Sequence, residues 1–147
     1  LVVIAVEDKG KRFGRIRLHK VKDASGQSLI PAVKDSVQPN SEVHTDGWEG
    51  YSKLSSSGYK HTIIRKTADV GENLLPLANR VAALLKRWLQ GTHHSVGPKY
   101  LQSYLNEHVF RFNRRMPPMA AFQILLKISS QKDPAPLRQI KQPESNG

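Results

Sequence analysis

"HTDGWEGY", residues 44–51, places an aspartate, Asp46, between a short β-type run and a turn with two glycines and two aromatics. A carboxylate at the C-terminal end of a strand stands where open α/β sheets form their sites. An aspartate that only bonds its own turn backbone would give the same pattern. A second group lies in "PKYLQSYLNEHVFRFNRRM", 98–116, where Glu107, Arg111 and Arg114 fall at i, i+4 and i+7. That spacing puts them on one helical face, flanked by Asn113 and Arg115. Leu101, Tyr104, Leu105, Val109, Phe110 and Phe112 make much of the remaining circumference apolar. A glutamate on such a helix has reason to lie near a cation.

Two carboxylates from distant segments suit one chemistry in particular. Mg²⁺ is held through few protein carboxylates and keeps room for substrate phosphates. Two such ions about 3.5–4 Å apart clamp the attacking and leaving oxygens of a phosphoryl displacement. Neighbouring arginines hold phosphate bidentately. The charge balance agrees: 23 Lys and Arg against 12 Asp and Glu give +11 and a pI near 10.1. Such a chain is biased toward polyanions, although charge that merely keeps a surface solvated is compatible with the same count. Nucleic acid ranks ahead of an anionic membrane, because neither end carries a helix with a lysine-rich face and an apolar face.

The elements that must position these residues are legible. "LVVIAVE" reads as a buried strand and "RIRLHKV", 15–21, as a half-buried one, joined by the polar turn "DKGKRFG" into a hairpin. "SLIPAVKDSV", 28–37, has helical spacing with Pro31 early. "EVHT" is a short strand leading into Asp46. "EGYSKLSS", 49–56, is expected as a short helix and "GYKHTIIRK", 58–66, as a strand. "LANRVAALLKRWLQGT", 77–92, is an amphipathic helix with Val81, Leu84, Leu85, Trp88 and Leu89 on one face. The helix 98–116 follows, expected to stop at Pro117 and Pro118, then a last helix at 119–129. Residues 1–130 are expected to form one domain and 131–147 a disordered tail. The plan is α/β with a mixed sheet. There is no cysteine, which excludes disulfides and thiolate metal sites. No apolar run is long enough to span a membrane, "LVVIAV", residues 1–6, is too short to read as a signal peptide, and a cytoplasmic, nucleoid-associated location is expected.

The blocks "TDGWEGY", "GYKH", "NRVAALLKRWLQGTHH" and "YLNEHVFRFNRR" together resemble the bacterial insertion-sequence transposases of the DDE superfamily, in their ISXO-like group. The resemblance runs from residue 1 to about residue 126. It implies an RNase H-like, integrase-like core, with DNA strand cleavage and strand transfer that depend on Mg²⁺ or Mn²⁺. It makes Asp46 the second catalytic, metal-binding acid and Glu107 the third, with Asn106 as rival ligand. It makes Arg114 a DNA contact, and Arg111, Asn113, Lys86, Arg87 and His94 are expected to join it. The partners implied are the element's terminal inverted repeats, target DNA and further protomers of a homo-oligomer.

The family's first acid lies on a central first strand, and "LVVIAVE" resembles the second. Leu1 opens inside a β-type run without an initiator methionine, as expected of a fragment. The first strand is therefore expected upstream of Leu1; neither Glu7 nor Asp8 matches the first acid. The sheet should then lack its middle strand, and the 147 residues alone should be catalytically incompetent. The rival reading is a non-catalytic nucleic-acid-binding remnant of a transposase, and a third is another RNase H-like nuclease. Trp48 and Tyr51 are expected to pack and fix the Asp46 turn rather than stack on bases, and His61 to pack or cap. His93 and His94, adjacent in a loop, make a poor metal pair.

Overall fold

The computed structural model describes residues 1–10, 12–66, 74–93, 96–115 and 118–133. Among the described residues, four strands and four α-helices run in the order strand, strand, helix, strand, strand, helix, helix, helix. They are β1 (Val2–Asp8), β2 (Phe13–Lys20), α1 (Gly26–Ser36), β3 (Glu42–Thr45), β4 (Lys60–Ile63), α2 (Pro76–His93), α3 (Leu101–Asn113) and α4 (Pro118–Gln131). The α/β plan expected from the sequence is present, but the strands do not form one sheet. β1 and β2 make an antiparallel pair, β3 and β4 a parallel pair, and the pairs are separate sheets.

The hairpin lies between two layers. Ile16 and Leu18 of β2 and Val2, Ile4 and Val6 of β1 face Val81 and Leu85 of α2 and Leu105 of α3. On the other face Val3 meets Leu29 and Ala32 of α1. α1 also reaches the second sheet, where Ile30 and Val33 pack with Val43, Leu54 and Tyr59. One helix thus ties both sheets together, and Tyr51 packs against both of its clusters.

Hydrogen-bond parity shows which edges are closed. The Ile16 N–H donates to Asn113 Oδ1 at 2.8 Å, and Asn113 Nδ2 donates to the Ile16 carbonyl at 3.0 Å. Gln102 makes a second bridge two to four residues further along β2: Lys20 N–H donates to its Oε1 at 2.8 Å, and its Nε2 donates to the Leu18 carbonyl at 3.1 Å. Two amide side chains of α3 therefore stand in for a neighbouring strand along the outer edge of β2. Since Ile16, Leu18 and Lys20 point outward, Arg17 and His19 point to β1 and bond Ala5 and Val3 across the register. The N–H and C=O groups of Val2, Ile4 and Val6 are left on the far edge of β1, with no partner among the described residues. In the second sheet the Lys60 N–H donates to the Ser41 carbonyl. By the same alternation Val43 and Thr45 face β4, and Glu42 and His44 face an open edge of β3.

Several local expectations change. Residues 49–56 form two 3₁₀ turns, Glu49–Tyr51 and Ser55–Ser57, because a glycine- and serine-rich run has little to hold a full helix. The strand expected over 58–66 shortens to Lys60–Ile63, followed by a 3₁₀ turn. α3 ends at Asn113, before the prolines, because Arg114 leaves helical geometry; its N–H turns back to the Arg111 carbonyl and that of Arg115 to the Phe112 carbonyl. Pro31 is deeper in α1 than expected, since the helix already begins at Gly26. Residues 134–147 of the expected tail lie outside the described residues. Among the described residues no helix is long and apolar enough to cross a membrane.

Asn113→Ala would leave the N–H of the fully buried Ile16 unpaired and its carbonyl with only the Arg17 guanidinium, 3.3 Å away. The expected loss is about 1–3 kcal/mol in urea unfolding. Asn106→Ala, on the exposed side of the same helix, should stay within about 0.5 kcal/mol.

The core also carries a pH dependence. His108 is buried against Trp88 and Phe112, and its Nε2 has no hydrogen-bond partner among the described residues. Burial lowers its pKa from 6.5, and burial does the same to His61. As pH falls, the unfolded chain therefore takes up these protons first. Stability is full above 6.5 and declines as pH falls below it. Unfolding midpoints taken from pH 7.5 to 5 should show this decline, and His108→Phe should flatten it.

Candidate DNA-processing site

Asp46 follows the last residue of β3 and begins the turn. Its Oδ1 accepts the Trp48 N–H at 3.1 Å, the local bond that the turn reading anticipates. The turn is also held from β4: Thr45 Oγ1 lies 2.8 Å from His61 Nε2 and accepts the Gly47 N–H at 3.2 Å. His61 thus packs and pairs within the protein, as the sequence suggests. Gly47 has φ +83°, and a Cβ there would lie 2.6 Å from Ile63 Cγ2, so only glycine fits. Below the turn, burial and then the nearby Asp46 charge push the Tyr51 phenol pKa up.

Glu107 lies on α3, its side chain 42% exposed, and pairs with Arg111 through Nε and Nη2, both 2.9 Å from Oε1. The cation expected near Glu107 is therefore its own i+4 neighbour. Arg114 lies over the Phe110 ring at 4.0 Å. Arg115 lies 4.3 Å from the Phe112 ring centroid and donates to the Phe13 carbonyl. These rings hold arginines at the end of α3 with less loss of side-chain freedom on binding an anion. Lys86 and Arg87 are exposed on α2. His94 lies outside the described residues.

Two residues have other bonds than those expected of a DNA contact or a metal ligand. The Asn113 amide is taken up at both ends by Ile16. Asn106 Oδ1 accepts from Gln102 Nε2 at 2.8 Å. Periodicity marked α3 as packed but could not reveal Gln102. A lone glutamine has no sequence signal for pairing with a strand edge.

Asp46 and Glu107 offer hard oxygen donors of the kind Mg²⁺ takes. On each, one oxygen is engaged, and the other (Oδ2 of Asp46, Oε2 of Glu107) bonds no described residue. Among the described residues no three His, Asp or Glu side chains cluster at metal-binding distance. Carboxylate donors of this kind suit a hard dication shared with phosphate oxygens better than one caged by protein alone.

The fold and charge thus define an α/β domain with a carboxylate at a strand end and an arginine-rich helix. Residues 1–113 match the family of the ISXO2-like transposase domain, and the chain belongs to that family. The chain is also similar to an uncharacterized transposase-like protein of Haemophilus influenzae, with 26% identity over 98 residues that cover 63% of this chain and 76% of the relative. No solved structure matches the chain. Membership implies a protein that handles DNA, in keeping with its net charge of +11.

The exposed Glu107–Arg111 pair is worth a few tenths of a kcal/mol. Glu107→Ala should therefore lower unfolding stability by less than about 0.5 kcal/mol. That leaves the substitution usable as a test of function. A large drop in thermal midpoint would show that Glu107 supports the fold instead.

Proposed function

We propose that this chain is the catalytic core of a DDE-type DNA transposase with an RNase H-like fold. The reaction is hydrolysis of a DNA phosphodiester at the element ends, followed by attack of the freed 3′-OH on target DNA. The observation that carries the reading is Asp46, at the C-terminal end of β3, with one carboxylate oxygen bonded to its turn and the other bonded by no described residue. Family membership over residues 1–113 supports it.

The two open edges support the finer fold. β1 presents Val2, Ile4 and Val6, and β3 presents Glu42 and His44. α1 covers both sheets. A strand seated between these edges would join both pairs into one mixed sheet and complete its hydrogen bonds. In this reading that strand carries the first acid and brings its carboxylate beside Asp46.

Asp46 and Glu107 would hold Mg²⁺, or Mn²⁺ in its place. When bound, the ions supply Lewis-acid polarisation of the phosphate and lower the pKa of water. Arg111 and Arg114 hold the phosphate and offset its developing charge. Lys86 and Arg87 neutralise DNA backbone along α2, and His94 joins them as a DNA contact. Paired element ends are held by a homo-oligomer.

The test uses the transposase on element-end DNA. Asp46→Ala and Glu107→Ala should each reduce Mg²⁺-dependent strand cleavage about 100-fold or more, the loss of several kcal/mol of charge stabilisation. DNA binding should remain. Unchanged cleavage in Glu107→Ala would move the third-ligand role to Asn106. Binding without cleavage in the unsubstituted protein would favour the non-catalytic remnant.

A further inference from the structure

Trp48 departs from the packing role that its sequence position suggests. It is 55% exposed, whereas Tyr51 packs between two core clusters. The exposure does not come from a loose side chain. Trp48 Nε1–H donates to the Ala24 carbonyl at 2.8 Å, and its backbone N–H is held by Asp46. Gly50 allows this closeness: a Cβ there would lie 2.5 Å from the Ala24 oxygen and 3.1 Å from Trp48 Cδ1. The ring is thus fixed at its edge and open over much of its surface.

The ring borders an open cleft of about 590 Å³ between the start of α1 and the turn, within the ~300–1,000 Å³ range of small-ligand sites. Ile30 and Pro31 supply apolar wall, and Ser25 and Gln27 polar groups. Pro31 has no N–H to give to the Gln27 carbonyl, which frees an acceptor within α1. The charged lining residues are Glu49 and Lys53, one of each sign. That balance does not attract a phosphate. It suits a neutral, flat group with polar edges.

We propose that this cleft takes a nucleobase drawn out of the DNA stack, with Trp48 as its stacking platform, next to the Asp46 carboxylate. The inference rests on the reading of this chain as a DNA-processing domain. Trp48 and Asp46 share one turn, so a base seated on the ring keeps its own phosphate near the carboxylate. Unstacking one nucleotide also loosens the backbone there, which lets a phosphate leave its duplex position. Aromatic stacking accepts every base, so the cleft sets geometry rather than sequence.

The test is binding by the 147-residue chain to two duplexes of one sequence, fully paired or with a single mismatch that includes 2-aminopurine. Unstacking is easiest at the mismatch. The mismatched duplex should bind more tightly, quench tryptophan fluorescence and gain 2-aminopurine emission on leaving the stack. Trp48→Ala should lose the quench and bind the mismatched duplex about tenfold more weakly, with the paired duplex unchanged. Trp48→Phe keeps a stacking ring and should keep the mismatch preference, which separates stacking from folding. Trp88 lies in the core and sets a constant background in all three proteins. If both duplexes bind and Trp48→Ala matches the unsubstituted chain on each, the stacking site is wrong while the DNA reading stands. If neither duplex binds, both are wrong.

Discussion

Every strand edge must place its N–H and C=O groups somewhere, and this domain depends on how it does so. At β2 the solution is a helix. Gln102 and Asn113 present amides to Ile16, Leu18 and Lys20 in the pattern a neighbouring strand would offer. That pairing fixes the rotation of α3 about its axis. It sets Leu105 and His108 into the core and leaves Glu107 and Arg111 toward solvent. The site-bearing face of α3 is thus chosen by its amides as much as by its apolar residues.

The opposite edge has no such cover. β1 and β3 each keep one side unpaired among the described residues, and α1 spans the two sheets. Covering both sheets with one helix holds the pairs near a common layer without a hydrogen bond between them. The turn after β3 uses the same economy. Thr45, His61 and Gly47 hold its entry, Asp46 and Trp48 bond across it, and Gly50 lets it approach the chain before α1. The carboxylate and the open tryptophan ring are neighbours because one short turn carries both.

Much of this was legible in the sequence. Alternation in "RIRLHKV" gave β2, and the apolar stripe of 77–92 gave α2, since each pattern reports a buried face directly. Asp46 and Glu107 stood out by type and spacing, and the family followed from blocks in order. The split of the sheet was expected only through the resemblance, because strand neighbours are non-local and periodicity does not report them. Trp48 was misjudged because an aromatic in a glycine turn is normally packing, and its bond to Ala24 depends on two segments meeting. Asn113 looked like part of a polar rim, because an amide that serves a strand edge has the same sequence signature as one that faces DNA.

The measurement that bears most directly on this account is amide hydrogen exchange, residue by residue, along the hairpin of the 147-residue chain. Strand-paired Val3, Ala5, Arg17 and His19 should exchange slowly, and so should Ile16 and Lys20, whose partners are the amides of α3. Val2, Ile4 and Val6 should exchange much faster, although they alternate with protected neighbours on the same strand. Rapid exchange at Ile16 and Lys20, or protection at Val2, Ile4 and Val6 equal to that at Val3 and Ala5, would contradict a closed β2 edge and an open β1 edge.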